Sequence, residues 1–293
     1  MSSSESFQVN AEPSLHIGQV LARKGVLFLG STGFLGKVTL SMLLTRYGSE
    51  LDRIYVLSRR GSSGSARRRF QDQVATSEPF KPFWDELGEE QGARFLETKC
   101  QVLDGDITSP GCGLTPEQLK QLKGKVQVAI NCAGLVSFNP SLEVGLNVNT
   151  LGVRNVVQIC QALDVPLVHV STSFVAGNRD GLVFEDEEVE GYFPRKGELD
   201  GRDFSLEQEL LDCQKLVARC REKAEDKALT SHFRQRALDR LSHEGRDCSD
   251  EKTLRLAVGR ERKLWLSNEL TRLGMERAQH WGWPNTYTYT KSL

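Results

Sequence analysis

An α/β fold built on a doubly wound parallel sheet is what this 293-residue sequence predicts, on three observations. Short apolar runs recur along its first half, and stretches with helical spacing separate them. The first run passes directly into glycines 30, 33 and 36, three residues apart, and then into a periodic helix. Parallel strands need long crossover connections, and the intervening helical stretches supply them.

The elements follow in order. The opening MSSSESFQVNAEPS is polar and Ser-rich, and residues 1–20 are expected to be disordered. Val26 to Leu29 is a short apolar run, as a strand buried on both faces should be. After the glycines, Val38, Leu40, Leu43 and Leu44 recur with helical period until Gly48 stops the helix. A second strand spans 53–61, and a charged helical stretch covers 62–92. A third strand lies near 101–103 and ends in DGDIT; a fourth spans 126–134. One helix is expected over 143–163, and a fifth strand, PLVHVSTSFVAG, over 167–171. Beyond Gly177 the chain turns acidic and Gly-rich, then from 204 to 280 charged and Leu-punctuated. That stretch reads as amphipathic helices inserted before the last helix: a cap or lid with solvated faces, with a partner-binding or membrane-surface role as the lesser reading.

The glycines have separate physical reasons. Gly30 allows a tight turn out of the strand, Gly33 lets the backbone approach a pyrophosphate, and Gly36 lets the helix pack on the sheet. The helix N-terminus then offers amides and partial positive charge to phosphates. This is the opening of a Rossmann-like dinucleotide-binding unit, with Gly30, Thr32, Gly33, Phe34, Leu35 and Gly36 as cofactor-binding candidates. The second strand ends in LSRRG, where Arg59 and Arg60 stand in place of the carboxylate that recognises a ribose 2′-hydroxyl. Guanidiniums suit a 2′-phosphate, so NADPH is expected rather than NADH. Asp106 and Ile107 fall where adenine should lie, and Asn131, Ala133 and Gly134 in NCAG would skirt the cofactor.

Composition bounds the rest. With 39% hydrophobic residues and a net charge of -1, the chain carries no signature of nucleic-acid binding. Seven cysteines, never in C-x-x-C spacing, argue for reduced thiols in a cytoplasm rather than for disulfides, and no metal site is expected. No apolar run approaches the roughly 20 residues that span a bilayer.

The final residues, NTYTYTKSL, set two tyrosines before one lysine. Helical residues four apart share a face and residues two apart do not, so Tyr287, not Tyr289, pairs with Lys291. A tyrosine holds its proton at neutral pH, and a neighbouring ammonium eases its loss. Tyr287 would protonate a carbonyl oxygen as hydride arrives from the nicotinamide, while Lys291 bonds the nicotinamide ribose. A hydroxyl of VSTSF would hold the same oxygen.

GSTGFLG, VLSRR, DGDIT, NCAGLVSF, NVNTLG, HVSTSFVAG and NTYTYTK together resemble the extended short-chain dehydrogenase/reductase superfamily. They are most similar to its fatty acyl-CoA reductase branch, the male-sterility type of NAD-binding domain. The resemblance implies Thr172 in the family's Ser/Thr role, with Ser173 as its rival, Tyr287 as the acid and Lys291 as the cofactor anchor. It also implies Asn149 in a proton relay, with Asn147 close by. The implied reaction is NADPH-dependent reduction of a long-chain fatty acyl-CoA thioester to aldehyde, or onward through the fatty aldehyde to alcohol. A cytoplasmic protein with peripheral membrane contact is the matching expectation. Alternatives are a carrier-protein thioester reductase, a nucleotide-sugar epimerase or dehydratase, or an NADPH-binding sensor or scaffold. The chain stops two residues after Lys291, where such a domain needs more chain, so a truncated and by itself inactive piece is expected.

Overall fold

The structure, a computed structural model, describes residues 16–61, 64–199 and 203–293. Five parallel strands, β1 (Gly25–Leu29), β2 (Arg53–Ser58), β3 (Cys100–Asp104), β4 (Val128–Asn131) and β5 (Leu167–His169), form one sheet. Their order is β3-β2-β1-β4-β5. The flanking helices are α1 (Ile17–Leu21), α2 (Phe34–Tyr47), α3 (Ala66–Phe70), α4 (Lys81–Lys99), α5 (Pro116–Leu122), α6 (Leu142–Gly145) and α7 (Leu151–Leu163). The later part of the chain adds α8 (Leu206–Lys223), α9 (Lys227–His243), α10 (Glu251–Trp281) and α11 (Thr286–Ser292). This is the α/β parallel architecture that the alternating pattern predicts.

The chain divides into two compact units. The first takes the described residues up to 106 with 113–133 and 158–169; the second takes 107–112, 134–157 and 170–293. In the first, β1 is central and wholly buried, with Leu29 in register with Leu57 of β2 and Asn131 of β4. Alternate residues face opposite ways. Val26 and Phe28 join a cluster with Leu40 and Leu44 of α2, Ile54 and Val56 of β2, and Phe70, Phe80 and Phe83. Strand order reverses between β1 and β4, which makes the carboxyl ends of those two strands the topological switch point, where open α/β sheets bind ligands.

In the second unit the helix starts are written locally. Ser205, Asp226, Asp250 and Asn285 each accept a backbone N–H of the helix that follows. Gly282, at φ +101°, ends α10 in the left-handed conformation that glycine adopts without strain, and frees the chain to start α11. Trp281, Trp283, Phe193 and Tyr289 pack into one cluster with Leu142 and Leu146. Among the described residues, no helix is long and apolar enough to cross a membrane.

Three segments differ from expectation. Ile17–Leu21 is helical inside the stretch expected to be disordered, with Leu21 buried in the first unit's core; residues 1–15 lie outside the described residues. The charged stretch 62–92 is not one helix. It breaks into α3, a π-helical turn at Gln71–Ala75, a short 3₁₀ turn at Glu78–Phe80, and α4, itself broken at Gly88 (φ +70°). The helix expected over 143–163 is interrupted by a π-helical turn at Leu146–Thr150. Periodicity does not reveal the turn at Leu146–Thr150, where Asn149 and Thr150 bond to Leu135 and Thr290.

Candidate active site

Where β1 ends, Gly30 and Gly36 sit at close backbone approaches. Gly30 sits at φ +88°, and a Cβ there would lie 2.3 Å from the Ala133 backbone nitrogen. The turn after β4 therefore presses directly on the turn after β1, at the switch point. A Cβ on Gly36 would fall 2.0 Å from the Gly30 carbonyl oxygen, so helix and turn touch backbone to backbone. Gly33 differs: a Cβ would meet only the Gly30 oxygen, at 3.6 Å, and the residue is exposed. No side chain caps the first turn of α2 and no acidic residue lies in it. Its amides thus remain available to an anion, and the turn fits a dinucleotide pyrophosphate. Thr32 is half-buried, while Phe34 (80% exposed) and Leu35 flank the same end of α2. Asn131 is fully buried. Its Oδ1 accepts from Ala133 N at 2.9 Å and its Nδ2 lies 3.1 Å from His169 Nδ1, so it shapes the β4 turn from within.

At the end of β2 the two predicted arginines part company. Arg60 Nε pairs with Asp104 Oδ2 of β3 at 3.2 Å, whereas among the described residues the Arg59 guanidinium has no hydrogen-bonding or ion-pair partner. A third arginine, Arg69, reaches back from α3 to the Arg59 carbonyl at 3.5 Å. Partial burial, then the charge of Arg59, holds its guanidinium below the usual range. Sequence reasoning passed over Arg69 because it sits in an R-R-R run that reads as a solvated helix face. Asp106 is half-buried and belongs to the first unit.

The remaining candidates gather in the second unit. Tyr287 and Lys291 stand one turn apart on α11, which packs against the Ser173–Ala176 turn and against the π-helical turn at Leu146–Thr150. Thr172 opens the former turn, its hydroxyl accepting from Phe174 N at 3.3 Å; Ser173 is exposed. Lys291 Nζ donates to the carbonyl of Val170, the first residue of VSTSF, at 3.4 Å. Burial lowers its pKa. Gly134 makes room for that ammonium, since a Cβ there would lie 2.8 Å from Nζ. Tyr287 is half-buried, its amide donating to the Phe138 carbonyl at 3.1 Å and its ring meeting Phe138 edge-on at 6.0 Å.

Asn149 is brought to the same place with a different occupation. Its Oδ1 accepts from Leu135 N at 2.8 Å, and its Nδ2 donates to Leu135 O at 3.3 Å and to Thr290 Oγ1 at 3.2 Å. These contacts make the side chain a brace between Leu135 and α11. Thr150 reinforces it by donating to Thr290 O at 2.7 Å. Ile107 is fixed by Asn155, whose Nδ2 donates to its carbonyl at 2.7 Å. Thr150, Asn155 and Thr290 carried no sequence signal, since each acts on a residue far along the chain.

Residues 29–293 match the family described as "Male sterility protein", an NAD-binding family. The chain belongs to that family. Among curated relatives it is 30% identical to the "Probable fatty acyl-CoA reductase 5" of Arabidopsis thaliana, over 95% of this chain and 49% of that one. To the "Alcohol-forming fatty acyl-CoA reductase" of Simmondsia chinensis it is 28% identical, over 94% of this chain and 48% of the relative. The chain thus spans about half the length of these relatives. Among solved structures it is similar to the terminal R domain of the myxalamid PKS-NRPS pathway, at 25% identity and a TM-score of 0.46, over 57% of this chain and 40% of that one. The family match covers the glycine turn from its first residue, the NCAG and VSTSF strand ends and α11.

Proposed function

We propose that this protein uses NADPH to reduce a long-chain fatty acyl-CoA thioester to the aldehyde, and the aldehyde onward to the alcohol. One observation carries the reading: α11 sets Tyr287 and Lys291 on one face and packs on the turn that bears Thr172 and Ser173, in a chain whose relatives include fatty acyl-CoA reductases. A reduced nicotinamide, when bound, supplies the hydride. The glycine turn and the first amides of α2 would hold its pyrophosphate, and Arg59 with Arg69 suits a 2′-phosphate, which favours NADPH.

The chain's own groups do the proton work. The Tyr287 phenol gives its proton to the oxygen of the acyl carbon, and Lys291 stabilises the phenolate left behind. Thr172 or Ser173 donates a hydrogen bond to the same oxygen. The hemithioacetal then breaks its C–S bond to leave aldehyde and free CoA thiol, and the same groups serve the second reduction. Val136 (77% exposed), Phe138 (61%) and Phe174 (61%) bring apolar surface from the two segments beside α11, which suits an acyl chain.

The test is cofactor oxidation by the intact protein with acyl-CoA and with fatty aldehyde. Tyr287→Phe should lower turnover by at least about a hundredfold while NADPH still binds. Turnover by that variant at the wild-type rate would overturn the reading.

A further inference from the structure

The proposed chemistry uses one tyrosine of α11; the other is more deeply placed. Tyr289 is 0% exposed, and its hydroxyl meets α8, where it donates to Glu209 Oε1 and lies 3.1 Å from Cys213 Sγ. Glu209 is itself 2% exposed. A carboxylate so withdrawn from water is costly unless paired, and Arg277 of α10 pairs it through two hydrogen bonds of 2.7 and 2.5 Å. A line of charge-assisted bonds therefore runs from α10 through α8 to α11. Burial, then the neighbouring Cys213 and Glu209, holds the Tyr289 phenol well above its usual range, so it remains a donor.

Stability alone does not account for this arrangement, because well-packed apolar residues in place of a buried ion pair are often as stable or more so. What directional bonds add is orientation. The helix they grip starts directly after the Gly282 turn that ends α10, and Tyr289 sits in its first turn. Tyr287 and Tyr289 lie about 200° apart around its axis, so a bond fixing one sets the heading of the other.

We infer that Glu209, held by Arg277 and acting through Tyr289, sets the rotation of α11 and thereby aims Tyr287 and Lys291. The helical insertion is then a clamp on the catalytic helix, and Glu209, Arg277 and Tyr289 are its positioning residues. This rests on the proposed roles of Tyr287 and Lys291. Because a displacement of about 1 Å in a reacting group can cost about a hundredfold in rate, a loosened helix should be visible in kcat.

The test compares wild type, Tyr289→Phe and Glu209→Gln in the intact protein, by steady-state kinetics and by hydrogen exchange of the α11 amides without cofactor. Tyr289→Phe should lower kcat by about tenfold or more, with KM for acyl-CoA and NADPH within about twofold. Its α11 amides should exchange faster while those of α2 and α9 do not. Glu209→Gln keeps an oxygen for the phenol, so it should fall between the two. Wild-type kcat with wild-type α11 exchange in Tyr289→Phe would overturn the clamp. So would faster exchange spread evenly over the protein with kcat per folded molecule unchanged, which marks a merely structural residue. Exchange at α11 judges the clamp even if Tyr287→Phe retains turnover and the proposed function fails.

Discussion

Three guanidiniums crowd the end of β2, and they are not equivalent. Arg60 already faces Asp104 across the strand ends, although both side chains are exposed and the pair contributes little to stability. Arg59 has no such partner among the described residues, and Arg69 is drawn toward its carbonyl. A 2′-phosphate placed there would relieve the repulsion between Arg59 and Arg69 while leaving the Arg60 pair intact. Charge-assisted hydrogen bonds contribute roughly 1.5–3 kcal/mol, so Arg59→Ala should weaken NADPH binding about tenfold or more and leave NADH nearly unchanged. Arg60→Ala should move the preference less. Binding titrations with both cofactors decide it, and equal losses in the two variants would remove the distinction. The motif VLSRR made the charge legible. Which guanidinium was already committed was not, because that depends on a carboxylate at the end of another strand.

Among elements, α9 and α10 form a pair with its own buried charge. Glu261 of α10 is 3% exposed and faces Arg236 and Arg240 of α9, at 3.3 and 2.7 Å. Removing it leaves two cations facing each other. Both guanidiniums keep contact with water, so Glu261→Ala should cost roughly 2 kcal/mol, less than the 3–5 kcal/mol of a fully buried pair. A urea midpoint measures the loss, and kcat per folded molecule should hold, because these partners lie on α9 and not on α11. A fall in kcat would instead tie this pair to the active site and blur its contrast with Glu209. The inserted helices were legible as amphipathic stretches, while their number and their Ser or Asp caps come from the structure. Glu209 and Glu261 were not, since in sequence they resemble any carboxylate on a solvated face, and only the packing of neighbouring helices buries them. The π-helical turn that carries Asn149 escaped for the same reason: Leu135 and Thr290 hold it.

At the scale of the molecule, the alternation of strands and helices and the glycine turn after β1 could be read from periodicity and spacing, because each is local. The ionisation of the interior is not local. All seven cysteines are free, and burial raises the thiols of Cys100, Cys132 and Cys160 in the first unit and of Cys213 and Cys220 in the second. Cys213, against Tyr289, is pushed from the usual 9.0 up to about 11. Below the usual thiol range, folded and unfolded chains both keep these protons, and the thiols contribute no pH dependence. Above it the unfolded chain loses them first. It then binds fewer protons than the folded chain, and stability must fall as pH rises. Lys291, lowered by burial, works in the opposite sense, but it is one group against five thiols and the raised phenols of Tyr55 and Tyr289. In reducing buffer, the unfolding temperature should therefore decline steadily from about pH 9 toward pH 11, across the interval between the usual Cys213 value and its raised one. Cys213→Ala, which removes one of these protons, should decline less steeply. An unfolding temperature constant through pH 11 would mean that these thiols ionise as readily in the folded protein as in the unfolded chain, against the burial on which the clamp at Tyr289 also depends.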